Sequence, residues 1–143
     1  MKDPGHKPLT AEDHRNLSAA RDWVKGHFSA DQDLKYAPTQ GKLSVIGAIL
    51  DNAWVNPAET WKLQALGICL GDALAQELLL DWVIIDDEYG LSPALNWPGT
   101  SIYSFPQTLI SKRIEAGEKV DIQDLFQRTS EMIREMVFSG RYL

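Results

Sequence analysis

The chain has 143 residues, 44% hydrophobic and 24% charged, a balance that excludes wholesale disorder and fibrous repeats and leads to the expectation of one domain over 1–143. Fourteen Lys and Arg stand against twenty Asp and Glu, a formal charge of −6, which argues against a broad basic surface for nucleic acid. No run reaches the ~18 uninterrupted apolar residues of a membrane-spanning helix, because Asp72, Glu77 and Asp81 break the longest candidates.

Residues 1–9, with Pro4, Gly5 and Pro8, read as a loose tail. Thr10 and Asp13 stand at capping-box spacing, with Asp in place of the usual Glu or Gln. They open a helix over about 11–28 with Leu17, Ala20, Val24, His27 and Phe28 on one face. The polar stretch 29–41, containing Pro38 and Gly41, reads as a long connection. A second helix, about 42–54, carries the stripe Leu43, Ile46, Gly47, Leu50, Ala53 and Trp54.

Asn56-Pro57-Ala58-Glu59 then has the cap, the first-turn proline and the acidic partner of a helix start. The third helix, about 57–79, is apolar on nearly every side, as a buried central helix is. Trp82–Ile85, Leu91–Trp97 and Ser101–Phe105, divided by Gly90 and Pro98-Gly99, predict a meander within 80–105. Ser104 with Pro106 opens a fourth helix that Gly117 ends. Asp121 opens a fifth, ended by Gly140, with Ile122, Leu125, Phe126, Met132, Ile133, Met136 and Val137 at helical spacing. The predicted fold class is α+β: about five helices packed around a small antiparallel hairpin or three-stranded meander.

Asp86-Asp87-Glu88 supply hard oxygen donors at a strand end. Adjacent strand residues point to opposite faces, so at most two converge. With no Asp-x-Asp-x-Asp-Gly loop and no His-x-x-x-His pair, no metal ligands are assigned, and the cluster reads as a solvated turn or a contact for a basic partner. Asp72 is set among Trp61, Ala65, Ile68, Cys69, Gln76 and Leu79, mostly apolar, where a carboxylate is costly unless paired. Lys112, Arg113 or a hairpin amide is its expected partner. Gly67 and Gly71 predict a close approach to the helix by another helix or by the strand at 82–85.

His6, His14 and His27 all fall in the first 28 residues and assemble no triad; His27 is placed by the helix dipole. The single cysteine, Cys69, reads as a packed thiol and rules out an internal disulfide. No apolar stretch of signal-peptide length follows Met1, and a cytoplasmic location is the expectation. Trp61 and Trp82 are expected in the core, Trp54 and Trp97 half-exposed. Tyr89, Trp97 and Tyr103 against the fourth helix form an expected recognition groove, aromatics being common interface anchors.

Leu66-Gly67 through Gly71-Asp72, Glu77-Leu78, Trp82-Val83, Asp87-Glu88-Tyr89-Gly90, Pro93-Ala94-Leu95, and Phe105-Pro106 with Lys112-Arg113-Ile114 together resemble an uncharacterised bacterial family, a domain of unknown function. The resemblance covers about residues 60–130 and implies no activity. It directs attention to Asp72, Glu77, Asp87, Glu88, Tyr89, Lys112 and Arg113, charges that can also pair with one another and fix the hairpin on the helices.

Two readings follow. The leading one is a non-enzymatic protein-binding module, regulatory or inhibitory, with a protein partner, no cofactor and no catalytic residues. Its candidate binding residues are Asp72, Glu77, Asp87, Glu88, Tyr89, Trp97, Lys112 and Arg113. The other is a small-ligand binder or enzyme that uses the carboxylates of the third helix and hairpin, with Lys112 or Arg113 holding an anion.

Overall fold

The computed structural model describes residues 5–140. In chain order they form β1 (His6–Lys7), α1 (Ala11–Lys25), α2 (Gln32–Tyr36), α3 (Thr39–Asp51), α4 (Thr60–Leu78), β2 (Asp81–Asp87), β3 (Gly90–Asn96), β4 (Tyr103–Ser104), a 3-10 turn (Pro106–Thr108), α5 (Leu109–Glu115) and α6 (Ile122–Ser139). The class is α+β, as the sequence predicts, with helices gathered on an antiparallel sheet of order β1-β2-β3-β4.

Helix α4 is the centre of the core. Leu63, Leu66, Leu70 and Leu74 are fully buried, and α1, α3, α5, α6 and the 3-10 turn all pack on it. Two glycines make that crowding feasible. A Cβ on Gly71 would stand 2.6 Å from the Trp82 ring, and one on Gly67 would stand 2.5 Å from the Pro106 carbonyl oxygen. The close approach expected at these glycines is thus made by the β2 tryptophan at one and by the 3-10 turn at the other.

Local signals set most element ends. The Thr10–Asp13 capping box is complete, and Asp121 caps α6 through the Asp124 N–H. Gly90, Gly117 and Gly140 take positive φ where the hairpin turns and the helices stop.

Several expectations need correction. The segment read as a tail contributes β1, whose His6 and Lys7 lie opposite Ile85 and Ile84 of β2, while residues 1–4 lie outside the described residues. The stretch read as a connection holds α2 and the first turn of α3, where Tyr36 and Lys42 are buried. The Asn56 N–H does donate to Glu59 Oε1, but Asn56 Oδ1 accepts from the Ala58 N–H; these bonds close a separate turn, and α4 starts at Thr60. Phe105, not Ser104, precedes the Pro106 turn, and α5 begins only at Leu109. Trp61 is 53% exposed rather than in the core, since it sits on the first turn of α4 where that helix emerges from its neighbours.

The sheet is a seven-residue hairpin with two short flanking strands. β2 and β3 pair from Asp81↔Asn96 to Asp87↔Gly90, and β4 covers only Leu95 and Asn96. Pro93 lies on the rest of that edge and lacks the N–H an incoming strand needs.

Candidate functional site

Asp72 projects from α4 toward α1 and β2, and four donors meet it. Arg21 Nε donates to Oδ2 at 2.7 Å and Nη2 to Oδ1 at 2.8 Å, the fork a guanidinium offers a carboxylate. Tyr36 Oη donates to Oδ2 at 2.6 Å and Trp82 Nε1 to Oδ1 at 3.0 Å. Two hydrogen bonds on each oxygen fill the carboxylate's acceptor sites, and none is left to take a proton from a substrate. Its side chain is 11% exposed.

The partner is therefore Arg21, not Lys112 or Arg113. The reason is helical phase. Leu17 and Ala20 of α1 line the same groove as Ala65 and Ile68, seven and four residues before Asp72 on α4, whereas the turn leading into α5 covers Gly67 and Gly71. Arg113 instead donates to the Leu109 carbonyl at 2.8 Å, and Lys112 is exposed.

Lys42 completes the cluster. Its Nζ donates to the Ala37 carbonyl and to Gln76 Oε1, both at 2.7 Å, and lies 4.8 Å from the Tyr36 ring centroid. Burial lowers the Lys42 amine below its ordinary range and raises the Tyr36 phenol. Burial also pushes the Cys69 thiol up to about 12, which keeps it protonated and unreactive at neutral pH. Sequence reasoning missed Arg21, Tyr36 and Lys42. The one available signal was an aromatic, Tyr36, inside a stretch otherwise polar.

The other sequence-predicted residues are dispersed. Glu77 is half-exposed, 4.0 Å from Arg134. Asp87 Oδ1 accepts from the Tyr89 N–H at 2.9 Å and so shapes the hairpin turn, with Glu88 exposed and Tyr89 87% exposed beside it. Neighbouring Asp86 pairs with Lys7, so the hairpin carboxylates do not bridge to α5. Trp97 lies past the other end of the hairpin, edge-on to Phe138. Seven residues of strand put about 20 Å between Tyr89 and Trp97, so the two do not meet at one hairpin tip. Among the described residues no group of three or more His, Cys, Asp or Glu is arranged to hold a metal ion, and no helix is long and apolar enough to cross a membrane.

A concave site lies elsewhere, between α1, α4 and the hairpin. It is a groove of about 350 Å³, floored by Leu17, Ala20, Ala65, Ile68 and Ile84 and edged by Trp61 and Leu91. Leu91 is 67% exposed. Asn16, Gln64 and Gln107 bring side-chain amides to the groove, and these make no hydrogen bond within the described residues. None of the eight sequence-predicted binding residues lines it. An apolar floor with a few unspent polar groups is the composition of a binding site.

A model of the family described as a domain of unknown function (DUF3806) matches residues 42–126, more than half of the chain. A crystal structure from Bacteroides thetaiotaomicron VPI-5482 shares the fold at a TM-score of 0.70 and 19% identity, over 85% of this chain and 45% of that one. The chain thus spans under half the length of that protein. No curated protein matches.

Proposed function

The chain belongs to this domain-of-unknown-function family, and from its groove we propose that it is a non-enzymatic module that binds another protein by holding an extended segment of it. The observation that carries the reading is the set of three unspent amides, Asn16, Gln64 and Gln107, around an apolar floor. A side-chain amide presents a donor and an acceptor together, the complement of a peptide unit. The floor takes one or two apolar side chains.

The carboxylates that an enzymatic reading needs are committed or apart. Asp72 is saturated by Arg21, Tyr36 and Trp82, and Glu77, Asp87 and Glu88 lie outside the groove. Such a module acts as a regulator or inhibitor by occupying its partner. We assign it to the bacterial cytoplasm, where a lone buried thiol such as Cys69 is unexceptional. A small neutral ligand is the second reading, favoured by a volume at the low end of the ~300–1,000 Å³ typical of small-molecule sites.

Selection of a displayed random-peptide library on the folded protein tests the proposal. Ala19 is exposed and lines the groove, so Ala19→Trp fills the groove without disturbing the core. The expected result is enriched peptides that bind Ala19→Trp at least tenfold more weakly and bind an Asp87→Asn, Glu88→Gln, Tyr89→Ala variant unchanged. Loss on the hairpin variant instead moves the contact to the turn. A library that never enriches, alongside a metabolite thermal shift abolished by Ala19→Trp, establishes the small-ligand reading.

A further inference from the structure

We propose that a row of aromatic rings bordering the groove docks cationic side chains of an extended basic segment of a partner protein. The row runs Trp61, Trp23, His27, Trp54, with ring centroids 6.3, 4.8 and 5.9 Å apart in turn. Only Trp61 also lines the groove, so the inference does not depend on what the groove holds. Trp54 and Trp61 are each 53% exposed, a large apolar area to leave in water.

Three features of the row favour positive charge. Helices α1 and α3 both end there, at Lys25 and Asp51, against the single start of α4 at Thr60, and each helix C-terminus carries about half a negative charge. Exposed carboxylates adjoin it, Asp22 next to Trp23 and Asp51 close before Trp54. The protein's own Lys62 Nζ lies 5.8 Å from the Trp23 ring centroid, so one ring of the row already draws a cation. Both lysines beside the row are neutralised locally, Lys62 by Glu59 and Lys25 by Asp33. His27 is fixed in place by donating Nδ1–H to the Trp23 and Val24 carbonyls, and its ring stacks on Trp54 at 16°.

The spacing selects an extended chain over a small cation. Same-face side chains of an extended strand recur every ~6.6 Å, close to the 6.3 Å Trp61–Trp23 and 5.9 Å His27–Trp54 steps, so Arg or Lys residues along one face of such a strand meet the exposed Trp61 and Trp54 rings at the two ends of the row. The overall charge of −6 brings a basic segment toward this surface.

The test is fluorescence anisotropy of a labelled octapeptide of alternating Arg and Gly titrated with the full chain, against the Gln-Gly peptide of equal length. Saturable binding of the Arg peptide alone is expected. Trp54→Ala and Trp61→Ala each weaken it about two- to fivefold, the range of an exposed cation–π contact, while Ala19→Trp leaves it unchanged. Asp51→Asn weakens it as well, and serves if a tryptophan variant fails to fold. Three outcomes overturn the proposal: no saturable binding, equal binding of the Gln peptide, or tryptophan and Asp51 variants that bind as the unaltered chain does. Weakening by Ala19→Trp places the peptide in the groove and overturns it as well.

Discussion

The surroundings of Asp72 and the groove between α1, α4 and the hairpin hold polar side chains in opposite states. Around Asp72, a guanidinium, a phenol and an indole N–H all converge on one carboxylate and leave nothing unpaired. In the groove, three amides stand beside an apolar floor with no hydrogen-bond partner among the described residues. A buried polar group that is fully satisfied is a structural device, because its interactions are all used in holding elements together. Exposed polar groups beside apolar surface keep their hydrogen bonds for something else. The difference teaches that the most conspicuous charge in the sequence belongs to the architecture, and that the proposed contact rests on residues outside that cluster.

The largest expected effect breaks the first half of the contrast. Asp72→Ala leaves Arg21 without its counter-ion and Tyr36 and Trp82 without an acceptor, across three helices and a strand. Removing one member of a partly buried pair costs about 3 kcal/mol or more, read as a lower midpoint in urea unfolding. Asp72→Asn, which keeps one acceptor oxygen, costs less. A loss under about 1 kcal/mol for Asp72→Ala means that the cluster is not what joins α1 and α2 to α4.

A pH titration sharpens the same half. Cys69 and Tyr36 have folded pKa values raised above their ordinary 9.0 and 10.0. The folded state thus keeps protons that the unfolded chain gives up, and stability present below pH 9.0 declines as pH rises past these values. Each group contributes a slope of about 1.4 kcal/mol per pH unit. Lys42 acts oppositely, since its folded pKa is lowered from 10.5. Its cost is relieved as pH rises to that value and adds nothing beyond it, so the decline is steepest above pH 10.5. Tyr36→Phe removes close to half of that slope in denaturation midpoints measured across this range. An unchanged slope shows that the phenol titrates without reference to folding.

How much was legible follows from the reach of each signal. Caps and breakers act over three or four residues, so Thr10, Asp13, Asp121, Gly117 and Gly140 marked their elements correctly. The all-round apolarity of α4 announced a central helix, and Gly67 and Gly71 announced close neighbours. The cost of an unpaired Asp72 was also evident, but not its partner, because Arg21 lies 51 residues away and helical phase alone decides which base reaches it. β1 was missed since two residues pair only once β2 exists to receive them. The groove was illegible for a related reason. Asn16, Gln64 and Gln107 come from three elements, and an amide in a sequence gives no sign of being unspent.

The smallest expected effect tests the second half of the contrast. Leu91→Ser and Trp54→Ala alter residues 67% and 53% exposed, and substitutions at such surface positions usually change stability by within about 0.5 kcal/mol. Both variants should therefore melt within a degree or two of the unaltered chain, even as they remove apolar contributions to the groove edge and the aromatic row. Trp54 is the more demanding case, because it stacks on His27 and some of its area is already covered. If Trp54→Ala costs more than about 1 kcal/mol, the row is closing a core rather than waiting for a partner, since a side chain held mainly for recognition contributes little to the free chain. A stability cost near zero, with the Arg peptide bound about two- to fivefold more weakly, separates the two roles: the Asp72 cluster carries the fold, and the exposed rings carry the contact.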